Sequence, residues 1–208
     1  MSKNELTTEK MTQALGWAYE KALNGIPGDL SSESLAKSYM KRFSFTDEAI
    51  HSLIKWQTAK SSTSGFVTGL GGIVTLPVAV PVNIASVLYV QMRMIAAIAY
   101  MRGYDLKDDQ VQTFVFICLT GQAASDILKQ SGITVGTKLT VQLIKKVPGT
   151  TLTKINQKVA FRLVTKFGEK GVINLGKLVP IVGGVIGASV DGVGTKIIGN
   201  QAKKLFVE

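Results

Sequence analysis

The chain has 208 residues, long enough for one domain that buries its own core, with 46% apolar and only 18% charged residues. A mean hydropathy of +0.24 excludes global disorder and points to deep burial or lipid contact. The single Cys118 excludes an internal disulfide, the single His51 excludes a histidine-rich metal site, and a net charge of +10 favours polyanionic partners.

In chain order, nearly every segment reads as helix. Met11, Leu15, Ala18 and Ala22 recur at helical spacing over residues 8–23, and Asn24-Gly25-Ile26-Pro27-Gly28 breaks the pattern. Ser31 or Ser32 is placed to cap a short helix through Leu35, Tyr39 and Met40. Thr46, followed by Asp47 and Glu48, predicts a capped start to a helix that runs towards Ser61. The polar N-terminus has no apolar core before Leu15, so no secretory signal is expected.

Between Lys60 and Arg93 no side chain is charged at neutral pH, yet Gly69, Gly71, Gly72, Pro77 and Pro81 interrupt the run. The segment Gly65–Met92 is long enough to span a bilayer and too broken to be one helix. Helix Val82–Met101 has spanning length but carries Arg93 near its centre. That charge costs roughly 2.5–3.5 kcal/mol on insertion scales, which cancels much of the gain from its Leu and Ile residues. Two readings stay open: a buried hairpin in a helical core, or a re-entrant, membrane-inserting hairpin.

Gly103-Tyr104-Asp105 ends that helix, and Asp108 or Asp109 opens the next, which buries Val111, Phe114, Val115 and Cys118. A kink is expected near Gly121, then helix over 123–128 and again over 134–147, stopped by Pro148-Gly149. Thr150 or Thr151 is placed to cap an amphipathic helix to Phe167. The region 172–206 is apolar and glycine-rich, with Pro180 inside it. No convincing strand alternation appears. The expected fold is all-α: a single compact domain of roughly eight helices around a Gly/Pro-broken apolar hairpin. Residues 1–45 read as an N-terminal helical appendage and 46–208 as the main helical domain.

Three features bear on function, the first being the pair of broken apolar segments Gly65–Met92 and Leu178–Val190 and the second a run of small residues. Gly183, Gly184, Gly187, Ala188 and Gly192 form small-residue ladders at spacings of four, a smooth helix-packing face in lipid or in water. Asp191 lies in the same groove and needs a partner if buried. Arg93 is the cation expected to meet it, the alternative being that each finds solvent or backbone separately.

The third feature is charge. From Lys129 to Lys177 ten basic residues face one acid, Glu169, nearly the whole positive excess. Lys154, Lys158, Arg162 and Lys166 follow at i, i+4, with Lys170 beyond, beside the apolar stripe Ile155, Val159, Leu163 and Phe167. This suits a helix with one face on protein or acyl chains and the other on anionic headgroups, although a solvated face has the same pattern. Phe161 is the one aromatic among the charges, and no recognition motif accompanies them, which argues against nucleic acid.

No reaction centre is legible. His51 has Asp47 at i−4, the spacing of a helix-face hydrogen bond rather than a catalytic dyad. Cys118 sits among core aromatics, and the glycines at 69, 71 and 72 lack the Gly-Lys-Ser/Thr of a phosphate loop. No catalytic residue, metal ligand set or cofactor is expected.

Residues 68–77 (TGLGGIVTLP) and 89–100 (YVQMRMIAAIAY) resemble the bacterial EcsC family. The likeness continues through 153–159 (TKINQKV) and 167–171 (FGEKG), and closes with 177–184 (KLVPIVGG). It covers about Lys55 to Phe206 and implies an EcsC-like helical domain in a membrane-proximal context. The family takes its name from a protein encoded beside an ABC transporter, and it brings no catalytic residues to carry over.

The expectation is a non-enzymatic, membrane-associated protein that binds anionic lipid surfaces through its basic amphipathic helix. It would be accessory to a transporter or other membrane protein, and cytoplasmic, peripheral to or partly inserted in the inner face of the cell membrane. The alternatives are a soluble lipid- or apolar-ligand-binding domain, hydrolytic or not, with a pocket bounded by Leu76, Val80, Leu88 and Val182, or a protein-interaction module.

Overall fold

The computed structural model describes residues 6–61, 80–133, 141–168 and 186–207, apart from the side chains of Ser61, Asn83 and residues 186–191. The described elements are helices α1 (Thr8–Asn24), α2 (Ser32–Met40), α3 (Thr46–Ser61), α4 (Val82–Met101) and α5 (Asp109–Leu119). A 3-10 turn over Gly121–Ala123 leads into α6 (Ala124–Gln130), followed by α7 (Val141–Lys145), α8 (Gly149–Phe167) and α9 (Ile186–Leu205). Among the described residues there is no strand, and the protein is an all-α single domain.

Helix α4 is the axis of the fold. Met92, Arg93, Met94, Ile95, Ala96, Ala97, Ile98 and Ala99 are all buried, so no face of its central turns meets solvent. Helices α1, α2, α3, α5 and α9 pack around it. It is long and apolar enough to cross a membrane, but the structure covers it with protein. Its all-round hydrophobicity is that of a central core helix. The preceding glycine- and proline-broken segment lies outside the described residues.

Residues 6–45 pack into the common core. Met11, Leu15, Ala18 and Ala22 of α1 and Leu35 and Ala36 of α2 belong to the same apolar cluster as α3, α4 and α5. Tyr19 of α1 donates to the Leu106 carbonyl at 2.7 Å, and Ser32 donates to the Ala22 carbonyl at 2.8 Å. Both bonds satisfy buried hydroxyls, which would otherwise be costly.

Thr7 caps α1 through the Lys10 amide, and Ser31 caps α2 through the Ser34 amide. Thr46 is the first residue of α3, where the Phe45 carbonyl accepts from Glu48 and Ala49. Neither Thr150 nor Thr151 caps α8. Pro148 takes the cap position, its carbonyl accepting from Thr151 and Leu152, because its fixed φ and missing N–H suit that place.

Asp47, in the first turn of α3, joins three elements. Its carboxylate pairs with Arg102 just after α4 and with Lys203 of α9 at 3.2 Å. Its carboxylate is thus engaged by other elements, while His51 is exposed. The Lys203 ammonium, with the Arg102 guanidinium beside it, holds the Asp47 carboxyl below the ordinary aspartate value of 3.8. A depressed folded value means stability present at neutral pH and lost as pH falls through it. The acid limb of a pH–stability curve below about pH 4 should therefore be shallower in Asp47→Asn than in the native chain.

Candidate anion-binding face

Helix α8 is amphipathic by composition, and packing fixes which side faces out. Leu152, Ile155, Val159, Ala160 and Leu163 are buried against α1, α5 and α6. The outward ridge runs Thr150, Lys154, Gln157, Phe161 and Thr165, with Arg162 beside it, all exposed. Phe161 is 66% exposed, an aromatic ring held in water on the ridge that also carries Lys154. Thr153 and Thr165 donate back to the Gly149 and Phe161 carbonyls at 3.1 and 3.0 Å, so neither hydroxyl projects as a free donor.

The predicted basic stripe does not lie on one face. Four residues exceed one helical turn, so an i, i+4 row winds around the cylinder. Lys154 and Arg162 project outward, and among the described residues neither has an ion pair. Lys158 turns to the C-terminus of α6, donating to the Gln130 carbonyl at 3.1 Å and to Gln130 Oε1 at 3.3 Å. A cation at the final carbonyl of a helix satisfies an orphan acceptor and complements the helix dipole. Lys166 lies with its ammonium 5.2 Å from the centre of the Phe167 ring. Lys170 lies outside the described residues.

Between α6 and α8 runs an open groove of about 430 Å³. Its walls include Asp126 and Gln130 from α6, and Gln157, Lys158, Phe161 and Arg162 from α8. Sequence reasoning missed Asp126 and Gln130, which lie in a separate short helix with no periodic link to the stripe.

The other charged centre is buried. Arg93, 1% exposed, pairs with Asp29 and donates to the Leu30 carbonyl at 3.1 Å. Its guanidinium lies 5.6 Å from the centre of the Tyr89 ring, and Tyr89 donates to Asp29 at 3.4 Å. Burial pushes the Tyr89 hydroxyl up to about 12, against the opposing pull of Arg93. Asp29 reaches the guanidinium from a turn in which Pro27 precedes Gly28, whose φ of +84° only glycine adopts without strain. Arg93 thus has a carboxylate, but from the α1–α2 connection. The side chain of Asp191, its expected partner, lies outside the described residues.

Of the ladder glycines, Gly192 is buried on α9, whereas Gly183 and Gly184 lie outside the described residues. Gly187 and Ala188 fall on α9, but what they pack against is also outside the description. The close approach that the structure does show is at Gly199, where an added Cβ would lie 2.8 Å from Ile54 Cγ1 and 3.2 Å from Met94 Cε. Val80 and Leu88 are core residues, while Leu76 and Val182, the other expected pocket walls, lie outside the description. Cys118 is fully buried, and burial pushes its thiol far above the ordinary range, away from the reactive thiolate. Among the described residues no cluster of His, Cys, Asp and Glu could hold a metal ion.

The model of the EcsC protein family matches residues 2–207. The chain belongs to the EcsC family. That match includes α1 and α2, in keeping with their place in the common core. No curated protein and no solved structure matches this EcsC-family chain.

Proposed function

We propose that this EcsC-family protein is a non-enzymatic, peripheral membrane protein that docks on anionic lipid surfaces through the outward ridge of α8. The carrying observation is Phe161, 66% exposed on the same outward side as the exposed Lys154 and Arg162, on a helix whose opposite face is fixed in the core. An exposed aromatic ring gains by entering the headgroup–acyl boundary, and the cations beside it gain from anionic phosphates. Each Lys or Arg close to such a surface contributes about 1 kcal/mol. A ring buried fully would add roughly 1.5–3 kcal/mol, so attachment is weak and reversible, as for a peripheral protein. Residency at the inner face of the cell membrane, beside a transporter or another membrane protein, accords with this reading.

The test is co-sedimentation with vesicles of phosphatidylcholine alone and of phosphatidylcholine with phosphatidylglycerol. Binding should require the anionic lipid and weaken with salt. Lys154→Gln with Arg162→Gln should weaken it by about 30-fold, the equivalent of two surface charges. Binding that ignores lipid charge and both substitutions would reject the proposal.

A further inference from the structure

The groove between α6 and α8 carries opposite charges on its two walls. Asp126 stands on the α6 side and Arg162 on the α8 side, and both line the same cleft of about 430 Å³. Among the described residues neither has an ion pair, with the other or elsewhere. Opposite charges that share a cleft without pairing leave between them a space flanked by an anion acceptor and a cation acceptor. A surface built solely to hold polyanions has no use for a carboxylate there, because like charge opposes the ligand.

We propose that this groove binds a zwitterionic phosphoethanolamine group: a phosphate joined by a short spacer to a primary ammonium. This inference rests on the membrane-docking reading of α8 and names the headgroup that the ridge selects. Arg162 takes the phosphate, since its planar fork matches phosphate oxygens in pairs. Lys158 lies alongside; two of its three N–H groups serve Gln130, which leaves one donor for a ligand in the groove it lines. Asp126 accepts the ammonium through charge-assisted hydrogen bonds, with the Gln157 amide as a further polar wall. Phe161, at the exposed edge, covers the aliphatic spacer and the start of the acyl region. A choline headgroup has no N–H to give Asp126, and a lone aromatic ring is not the cage that quaternary ammonium ions need. A glycerol headgroup leaves Asp126 unpaired.

The experiment has two arms. In solution, glycerophosphoethanolamine and glycerophosphocholine are titrated into the labelled protein, and the backbone amides of α6 and α8 are followed by NMR. On membranes, vesicles of equal phosphatidylglycerol content are completed with either phosphatidylethanolamine or phosphatidylcholine. The expected result is a saturable shift of residues 126–130 and 157–162 by the ethanolamine compound alone, and roughly tenfold tighter binding to the ethanolamine vesicles. Asp126→Asn should abolish both preferences while leaving attachment to plain anionic vesicles intact or stronger. Arg162→Gln should remove the solution response, and Arg162→Lys should restore part of it.

Much tighter engagement of the vesicles than of the soluble compound assigns a lipid headgroup as occupant; equal affinity assigns the free phosphoester. Equal response to ethanolamine and choline, or a preference that survives Asp126→Asn, overturns the proposal. Failure of anionic vesicle binding alone would remove the docking reading, and the solution arm would still decide the groove.

Discussion

Replacing Asp29 with alanine should destabilise the protein by roughly 2–4 kcal/mol, and replacing Arg93 with methionine should cost distinctly less. The asymmetry follows from burial. The Arg93 side chain is 1% exposed, whereas that of Asp29 is 25% exposed. Without Asp29, a guanidinium at the centre of the fold keeps one carbonyl and the face of Tyr89, too little to replace its water. Without Arg93, the carboxylate sits at the edge of the molecule and can be hydrated. Methionine also has the volume and flexibility to refill the helix interior. The double variant Asp29→Ala/Arg93→Met should recover most of the stability lost in Asp29→Ala. Chemical denaturation of the four proteins checks this, and additive losses would show that the two residues do not act as a pair.

Gly199→Leu should cost about 2 kcal/mol, while Gly194→Leu on the same helix should stabilise by up to about 1 kcal/mol. Both exchange glycine for a good helix former, so the intrinsic gain is common to the two. At Gly194 nothing among the described residues lies within 4 Å of an added Cβ, and the gain is realised. At Gly199 the new side chain would run into Ile54 of α3 and Met94 of α4, and the crossing of three helices would have to open. Thermal unfolding of the two variants under one set of conditions reads the difference. Equal effects would mean that α9 does not approach α3 as closely as described.

The sequence already showed much of this architecture. Val82–Met101 has the limits that its sequence indicates, because Pro81 and Gly103 bracket a run free of proline and glycine. Phe167 ends α8 as its periodicity indicates. Periodicity reports which side of a helix is apolar but not what that side meets. Hence Arg93 was legible as a charge in need of a partner, yet Asp29, in a turn far upstream, carried no sign of being that partner. Gly199 stands outside the ladders of four that drew attention to Gly183–Gly192, and a single close crossing needs only one small residue. The separation of Lys158 from Lys154 and Arg162 depends on α6, whose placement no local pattern encodes. Residues 1–45 read as separate because the family-like blocks legible in the sequence begin only near Lys55. Their apolar stripes nevertheless complete the cover of α4, and only packing reveals it.

Whether the α8 ridge enters a lipid interface can be read directly at residue 161. Phe161→Cys labels selectively with a thiol-reactive, polarity-sensitive fluorophore, because native Cys118 is fully buried. Val193→Cys on α9, at a position 61% exposed, serves as the control. Anionic vesicles should shift the emission of the label at 161 to the blue and bring it within reach of a lipid-borne quencher, leaving the label at 193 unchanged. An emission at 161 that stays aqueous while the protein co-sediments with vesicles, or an equal shift at both positions, would contradict docking through α8.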